Sequence, residues 1–361
     1  MIRLYFLQAF YHLRENPIIT WVSILGTAMA ICMIMVLVIT FQVRLVDCYP
    51  EVNRSRTLYV PYMSVKQKGN SDNESANASM SVRTGRECFR ALSMPEAVTL
   101  ASGVYRVRAS VPSRSKATAD MVQTDEAFWT IFSFHFLSGE AFTKADCDAG
   151  LTRAVLDATT ARRLFGTTDA VGHTVQLDYV DYTVAGVVAD VSMLATAAYA
   201  QIWVPYTAAG AEAMSWQNDT MGPMHAIILA RSSADFDAIR EETELLRKKY
   251  NDGLQDVEVF YRGQPDTQLA YLYRRWYAEP DVPGVMLRYA IVVIILLLVP
   301  AVNLSGMTLS RMRRRMAEIG VRKAFGATGG ELMRQVFFEN LVLTLLAGIV
   351  GLALSYVATF A

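Results

Sequence analysis

RMRRRMAEIGVRKAFGA, residues Arg311–Ala327, is a short basic segment set between two apolar runs. Tyr289–Met307 precedes it and Leu341–Ala361 follows it, and each has the ~20 residues a helix needs to cross hydrocarbon. The segment therefore reads as a tight loop between two membrane helices. Arg311, Arg313, Arg314, Arg315, Arg322 and Lys323 crowd into it, with Arg334 just beyond. Dense Lys/Arg in a short loop marks the cytoplasmic side. Ala317, Glu318, Arg322, Lys323 and Ala324 favour helix, while Gly320 and Gly326 punctuate it. A short helix with a glycine-marked end is expected there.

Working outward, a chain of 361 residues that is 53% hydrophobic is too apolar for an ordinary soluble protein and too polar to lie wholly in a membrane. Residues 44–284 hold 24 of the 34 basic and 30 of the 34 acidic residues, so the outer section is acidic and the basic excess sits on the membrane segments. That distribution argues against nucleic-acid binding, which needs a basic face on the soluble part.

Near the amino terminus, Ile2, Tyr5, Phe6, Ala9, Phe10 and Leu13 recur at helical spacing, as in an amphipathic helix lying in the membrane interface. Asn16-Pro17 breaks it. Ile18–Phe41 carries no charge and reads as an uncleaved first span, with Ser23, Gly26, Thr27 and Ala30 forming a small-residue packing face. Gly351, Ser355 and Thr359 give the last run a similar face, and Gly348 lies close by. Pro300 and Asn303 interrupt the middle run.

If the 311–334 loop is cytoplasmic, the preceding helix comes in from outside, so the roughly 240 residues between the first two runs are extracytoplasmic and the amino terminus is inside. In that section Lys66–Gly85 reads as a polar loop with little to bury. Ser93–Glu96 reads as a capping box opening a helix toward Ala101. The GVYRVRASV segment reads as a strand. Arg153–Leu156 is expected as a strand, Asp157 as an N-cap and Ala158–Phe165 as a helix stopped by Gly166. His173–Leu177 and Tyr182–Val188 alternate as a hairpin around Asp178–Asp181. Met224–Ala230 and Val257–Tyr261 are expected strands flanking a helix over Ser233–Tyr250, with Phe236, Ile239, Leu246 and Tyr250 on one face. This β-α-β rhythm suggests two mixed α/β lobes. Tyr271, Tyr273, Trp276 and Tyr277, with Arg274 and Arg275, suit either the headgroup layer or a packed helix.

Enzymatic readings find little support. His12, His135, His173 and His225 are scattered, and no HExxH or GxSxG occurs. Gly166–His173 has five residues between its glycines and a histidine in place of the lysine that a phosphate loop requires. Cys32, Cys48, Cys88 and Cys147 lack metal-ligand spacing; outside the membrane, one disulfide among the last three is permitted. Without ionisable groups deep in the apolar runs, an ion-coupled carrier is disfavoured.

The wording of the loop goes further than its charge. Glu318-Ile319-Gly320-Val321-Arg322-Lys323-Ala324-Phe325-Gly326-Ala327, followed by Phe338-Glu339-Asn340-Leu341 and by Gly348 and Gly351, resembles the cytoplasmic signature of MacB/FtsX-type ABC transporter permeases. In the outer section FHFLSGEAFT (Phe134–Thr143), ARRLFG (Ala161–Gly166), DAVGHTVQLDYVDYTVAGVVADV (Asp169–Val191) and IWVPY (Ile202–Tyr206) resemble, in order, the periplasmic core of the MacB type.

The resemblance implies an α-helical transmembrane bundle with a large α/β extracytoplasmic domain of porter and sabre lobes. The expected segments are an interfacial helix over 1–17, a first span over 18–43, a periplasmic core over 44–284, a second span over 285–309, a coupling loop over 310–334 and a third span over 335–361. The family adds a fourth span. Glu318 to Ala327 would dock on an ABC-type ATPase subunit, and Gly26, Ala30, Gly348, Gly351 and Ser355 would pack helices. The other expected partners are a second permease copy or paralogue, making a dimer, and a periplasmic adaptor with an outer-membrane duct. No cofactor is expected, and the expected location is the bacterial inner membrane. Within the family the alternative role is that of an FtsX-like signalling permease that activates a cell-wall hydrolase.

Overall fold

The structure, a computed structural model, describes residues 17–71, 74–112, 116–276, 278–314, 316–326 and 328–360. The expected interfacial helix over residues 2–14 lies outside them. The chain divides into a membrane unit, residues 1–42 and 283–361, and an outer unit, Val43–Val282.

Among the described residues, the long helices of the membrane part are Pro17–Leu45, Val282–Arg314 and Gly329–Phe360. Thr20–Leu45, Val282–Val302 and Met333–Ala358 within them are long and apolar enough to cross a membrane. The second helix continues through Pro300 without a break. The third candidate span starts earlier than the apolar run suggests, so Glu339, 9% exposed, falls inside it. Ile24 and Ala28 of the first helix pack with Val342, Leu343 and Ala347 of the third. Ser23, Thr27 and Ala30 are buried with them, while Gly26 is only half-buried. Gly351 and Ser355 are buried and Gly348 is half-buried. On the second span Leu287, Ile294, Leu298 and Val302 remain exposed, which leaves its surface for lipid or another helix.

The outer unit is α/β. Its strands are β1 (Thr57–Val60), β2 (Met63–Gln67), β3 (Ser75–Ala78), β4 (Ala97–Ser102), β5 (Tyr105–Ser110), β6 (Lys116–Thr124) and β7 (Phe136–Gly139). These are followed by β8 (Arg153–Asp157), β9 (Thr174–Leu177), β10 (Val180–Val188), β11 (Ile202–Pro205), β12 (Met224–Leu229), β13 (Val257–Phe260) and β14 (Asp266–Thr267).

One lobe joins the antiparallel sheet β14-β1-β12-β4 to the smaller sheet β13-β2-β3. The helix Phe236–Gly253 covers it with Ile239 and Tyr250 in a core that includes Leu58, Phe89 and Ile228. In the other lobe β10, β8, β11, β6, β5 and β9 close on themselves, because β9 pairs with both β5 and β10, and β7 extends β10. Alternation fills this ring: Val107 and Ala109 of β5, Val175 and Leu177 of β9, and Tyr182 and Val184 of β10 point inward. An aromatic cluster of Phe128, Phe132, Phe142 and Trp203 lies in a further core with Tyr59 and Ile227 of the first lobe.

Local signals explain several elements. Asp157 accepts the Thr160 N–H at 2.7 Å and opens the helix Ala158–Phe165 as an N-cap. The β9–β10 turn is the two residues Asp178 and Tyr179, both at positive φ, which is tighter than the four-residue turn expected.

Two expectations are corrected. Ser93–Glu96 opens no helix: Ser93 gives its N–H and hydroxyl to Glu242, Glu96 pairs with Arg56, and the apolar residues that follow form β4. Lys66–Gly85 is not an idle loop: Ser75–Ala78 pairs with β2, Met80 is fully buried, and Ser81 caps the short helix Val82–Gly85. The local signals lost because long-range pairing supplied better partners.

Candidate functional site

The basic segment between the second and third helices contains the helix Met316–Ala324. Glu318, Ile319, Gly320, Val321, Arg322, Lys323 and Ala324 lie within it, Phe325 and Gly326 form the turn that closes it, and Ala327 lies outside the described residues. Phe325 N–H donates to Val321 O at 3.1 Å, so these two residues stand one turn apart. Gly326 then adopts φ +92°, a left-handed conformation that side chains resist, and ends the helix.

The site is defined by what it leaves uncovered. Phe325 is 89% exposed, and Val321 and Met316 are 57% and 69% exposed. Burying a side chain of this size recovers ~1.5–3 kcal/mol, so these three exposed side chains are apolar surface still open to burial. A Cβ added at Gly320 would meet no atom within 4 Å, so the space above the helix is open.

The outer unit carries buried charge that the sequence did not reveal. Glu51 and Arg54 form an ion pair with Nε to Oε2 at 2.6 Å, their side chains 1% and 0% exposed. Asp266 and Arg274 form a second buried pair, and Arg274 also donates to the carbonyls of Ala278 and Arg262, each at 3.0 Å. Arg274 is therefore committed inside the domain rather than to lipid headgroups. Tyr271 likewise stacks on Tyr59 at 4.5 Å, whereas Trp276 is 74% exposed.

Asp125, 1% exposed, takes the Thr99 hydroxyl at 2.6 Å, Leu100 N–H at 3.1 Å and Arg90 Nη1 at 2.9 Å, tying the end of β6 to β4. Burial outweighs these partners and pushes its carboxyl up to about 6. A cavity of about 150 Å³ is lined by Tyr59, Ser102, Thr196, His225 and Tyr271 among others. His225 reaches Ser79 Oγ at 2.9 Å, and burial depresses its ring to about 4. In sequence these groups look like ordinary solvated charges or stray histidines, and no spacing distinguishes them.

All four cysteines are free, so the disulfide that the compartment would permit is not formed. Among the described residues no group of three or more His, Cys, Asp or Glu is placed to hold a metal.

Comparison with known proteins agrees with this architecture. The family described as MacB-like periplasmic core domain matches residues 20–246, and FtsX-like permease C-terminal matches residues 290–361. The pyoverdine export ATP-binding/permease protein PvdT of Pseudomonas aeruginosa is 28% identical over 231 residues, 63% of this chain and 33% of its own length. The macrolide export ATP-binding/permease protein MacB of Chromobacterium violaceum is 26% identical over 244 residues, 67% of this chain and 35% of its own length. The chain thus spans about a third of the length of the curated relatives it matches. Among solved structures, a domain of a permease protein from Porphyromonas gingivalis aligns over 65% of this chain and 97% of its own, with 16% identity and a TM-score of 0.43.

The chain belongs to the MacB/FtsX-type family of ABC transporter permeases. It is a membrane protein with a helical transmembrane part and a large α/β extracytoplasmic domain.

Proposed function

We propose that this chain is the membrane subunit of an ATP-driven machine of the ABC type, in which an ATPase moves the 318–327 segment and the helices relay that motion to the outer domain. The observation that carries this reading is Phe325, 89% exposed in the turn that closes a helix of the Arg-rich loop, one turn from Val321. Such a helix fits a groove on a partner, with Phe325 as the aromatic anchor and Val321 beside it. ATP hydrolysis comes from outside these 361 residues, because the sequence holds no phosphate loop.

The work done is the export or release of a substrate, an antibiotic, peptide or lipoprotein, from the outer side of the inner membrane. The relatives' names, which join export to an ATP-binding/permease activity, support this reading. The amino terminus and the 310–334 loop face the cytoplasm. Two copies, or this chain and a paralogue, form the dimer, consistent with the exposed apolar face of the second span. A periplasmic adaptor and an outer-membrane duct complete the export route.

The test is loop substitution in reconstituted membranes. Truncation of a buried aromatic anchor commonly costs ~2 kcal/mol or more, a loss of more than tenfold in affinity. Phe325→Ala and Gly320→Trp are expected to leave the permease inserted while ending its stimulation of the cognate ATPase. The open space over Gly320 means that tryptophan strains the partner's groove rather than this chain. Arg313→Glu, at an exposed charge, should do less. Full stimulation by both loop variants would defeat the proposal. Co-purification with a peptidoglycan hydrolase instead of an adaptor would move the function from export to signalling.

A further inference from the structure

Arg54 spends its whole guanidinium on one corner of the outer domain. Its Nε holds Glu51, Nη1 donates to Val43 O at 3.0 Å and Val46 O at 2.9 Å, and Nη2 donates to Leu194 O at 2.5 Å. Val46 directly follows Leu45, the last residue of the first candidate span. One buried side chain therefore ties the 192–195 turn to residues 43–46. Glu51 adds a second hold, because its other oxygen accepts the N–H groups of Ala197 at 2.7 Å and Ala198 at 2.9 Å.

The roots of this turn are buried: Val191, Ala195 and Ala198 belong to the aromatic core with Trp203. Its tip is the reverse. Met193 is 74% exposed and Leu194 47%, with Val46 at 59%. Large apolar side chains on a freely moving loop would need no explanation, but here a buried ion pair and five hydrogen bonds to backbone carbonyls and N–H groups hold them in place.

We infer that Met193, Leu194 and Val46 form an apolar anchor that seats in the bilayer surface on the domain's side of the membrane. Lipid is the occupant because Val46 is one residue beyond the span and Arg54 bonds the carbonyls of both Val46 and Leu194, and apolar side chains at that depth meet the boundary between headgroups and acyl chains. Arg44, in the last turn of the same helix, suits the headgroup phosphates above that boundary. The anchor gives the outer domain a lipid contact separate from its two covalent connections to the membrane. This inference depends on the first span alone and not on ATPase coupling.

Depth-dependent quenching tests it on the full chain. Met193→Cys, in a chain with Cys32 and Cys48 replaced by alanine, is labelled with bimane and reconstituted into phosphatidylcholine vesicles carrying nitroxide near the top of the acyl chain. Cys88 and Cys147 are buried, with thiols pushed up to about 12, and stay unlabelled. Quenching at 193 is expected to exceed several-fold that of the same label at Tyr179→Cys, an exposed turn residue outside this corner. Adding Arg54→Met should lower the signal at 193 toward the Tyr179→Cys level, while a label at Val46→Cys, tied covalently to the span, keeps its quenching. Equal quenching at 193 and 179 in the otherwise unaltered protein overturns the inference. So does a label at 193 that is shielded from water yet unquenched, since protein rather than lipid would then cover the turn.

Discussion

A Cβ built on Gly351 lies 2.8 Å from Ala28 O and 3.0 Å from Ile31 Cβ, so the third helix meets the first with almost no room between backbone and backbone. The nearest atom is a main-chain carbonyl, which cannot swing aside as a side chain would. Gly351→Ala must therefore push the helices apart, at a cost of ~1–3 kcal/mol for overpacking. Gly348→Ala is the matched control, because its Cβ would meet nothing within 4 Å. Melting of the detergent-solubilised chain should drop for the first variant and stay level, or rise slightly with the better helix former, for the second.

Asp125 and His225 should give opposite pH dependence. Burial raises Asp125 to about 6, so between about pH 4 and 6 the folded chain holds more protons there than the unfolded chain. Its contribution to stability falls as pH rises through that window, with a limiting slope of about 1.4 kcal/mol per pH unit. His225 is depressed to about 4, so between about 4 and 6.5 the unfolded chain holds more protons, and its contribution is lost as pH falls. The two offset each other in the native chain. Asp125→Asn should unmask a stability that rises with pH between 4 and 6, and His225→Gln one that falls. Melting midpoints across that range check both signs.

The Glu51–Arg54 pair predicts a particular non-additivity. Removing one member strands a buried charge, and Arg54→Met is expected to cost ~3–5 kcal/mol. The double change Glu51→Leu with Arg54→Met removes both charges but leaves the N–H groups of Ala197 and Ala198 and the carbonyl of Leu194 without these partners. Recovery should be partial, with ~1–3 kcal/mol lost for each buried group left unsatisfied. A double-mutant cycle on thermal melts measures it; full recovery would mean that those backbone groups have other partners in the variant.

Thiol chemistry reads the topology. Of the three cysteines in the outer unit, Cys88 and Cys147 are buried, whereas Cys48 is half-buried. A membrane-impermeant maleimide applied to intact spheroplasts should therefore label Cys48 alone, slowly, since burial also raises that thiol. Thr328→Cys, in the Arg-rich loop, should stay unlabelled until the membrane is opened. Labelling of Thr328→Cys in sealed cells would reverse the orientation.

Phe236–Gly253 and Ala158–Phe165 were legible because their signals are local: a 3.6-residue apolar stripe, an aspartate cap and a glycine stop act within one turn. Ser93–Glu96 shows where this fails. Its capping-box pattern is real, but Glu242, 149 residues away in sequence, takes the serine first.

By itself, the sequence determined the three apolar stretches, the basic segment between the last two, and the alternation that makes the middle of the chain α/β. Each follows from chain-local physics: the cost of polar groups in hydrocarbon, the attraction of Lys/Arg to one side of a membrane, and the period of a strand or helix. Tertiary structure decided what no local pattern encodes. It closed β9 against both β5 and β10, sent Arg54 to carbonyls 8 and 140 residues away, and left Phe325 bare while enclosing Phe89 completely. A charge or an aromatic ring acquires its role from its burial and its partners, and those exist only once distant segments have packed.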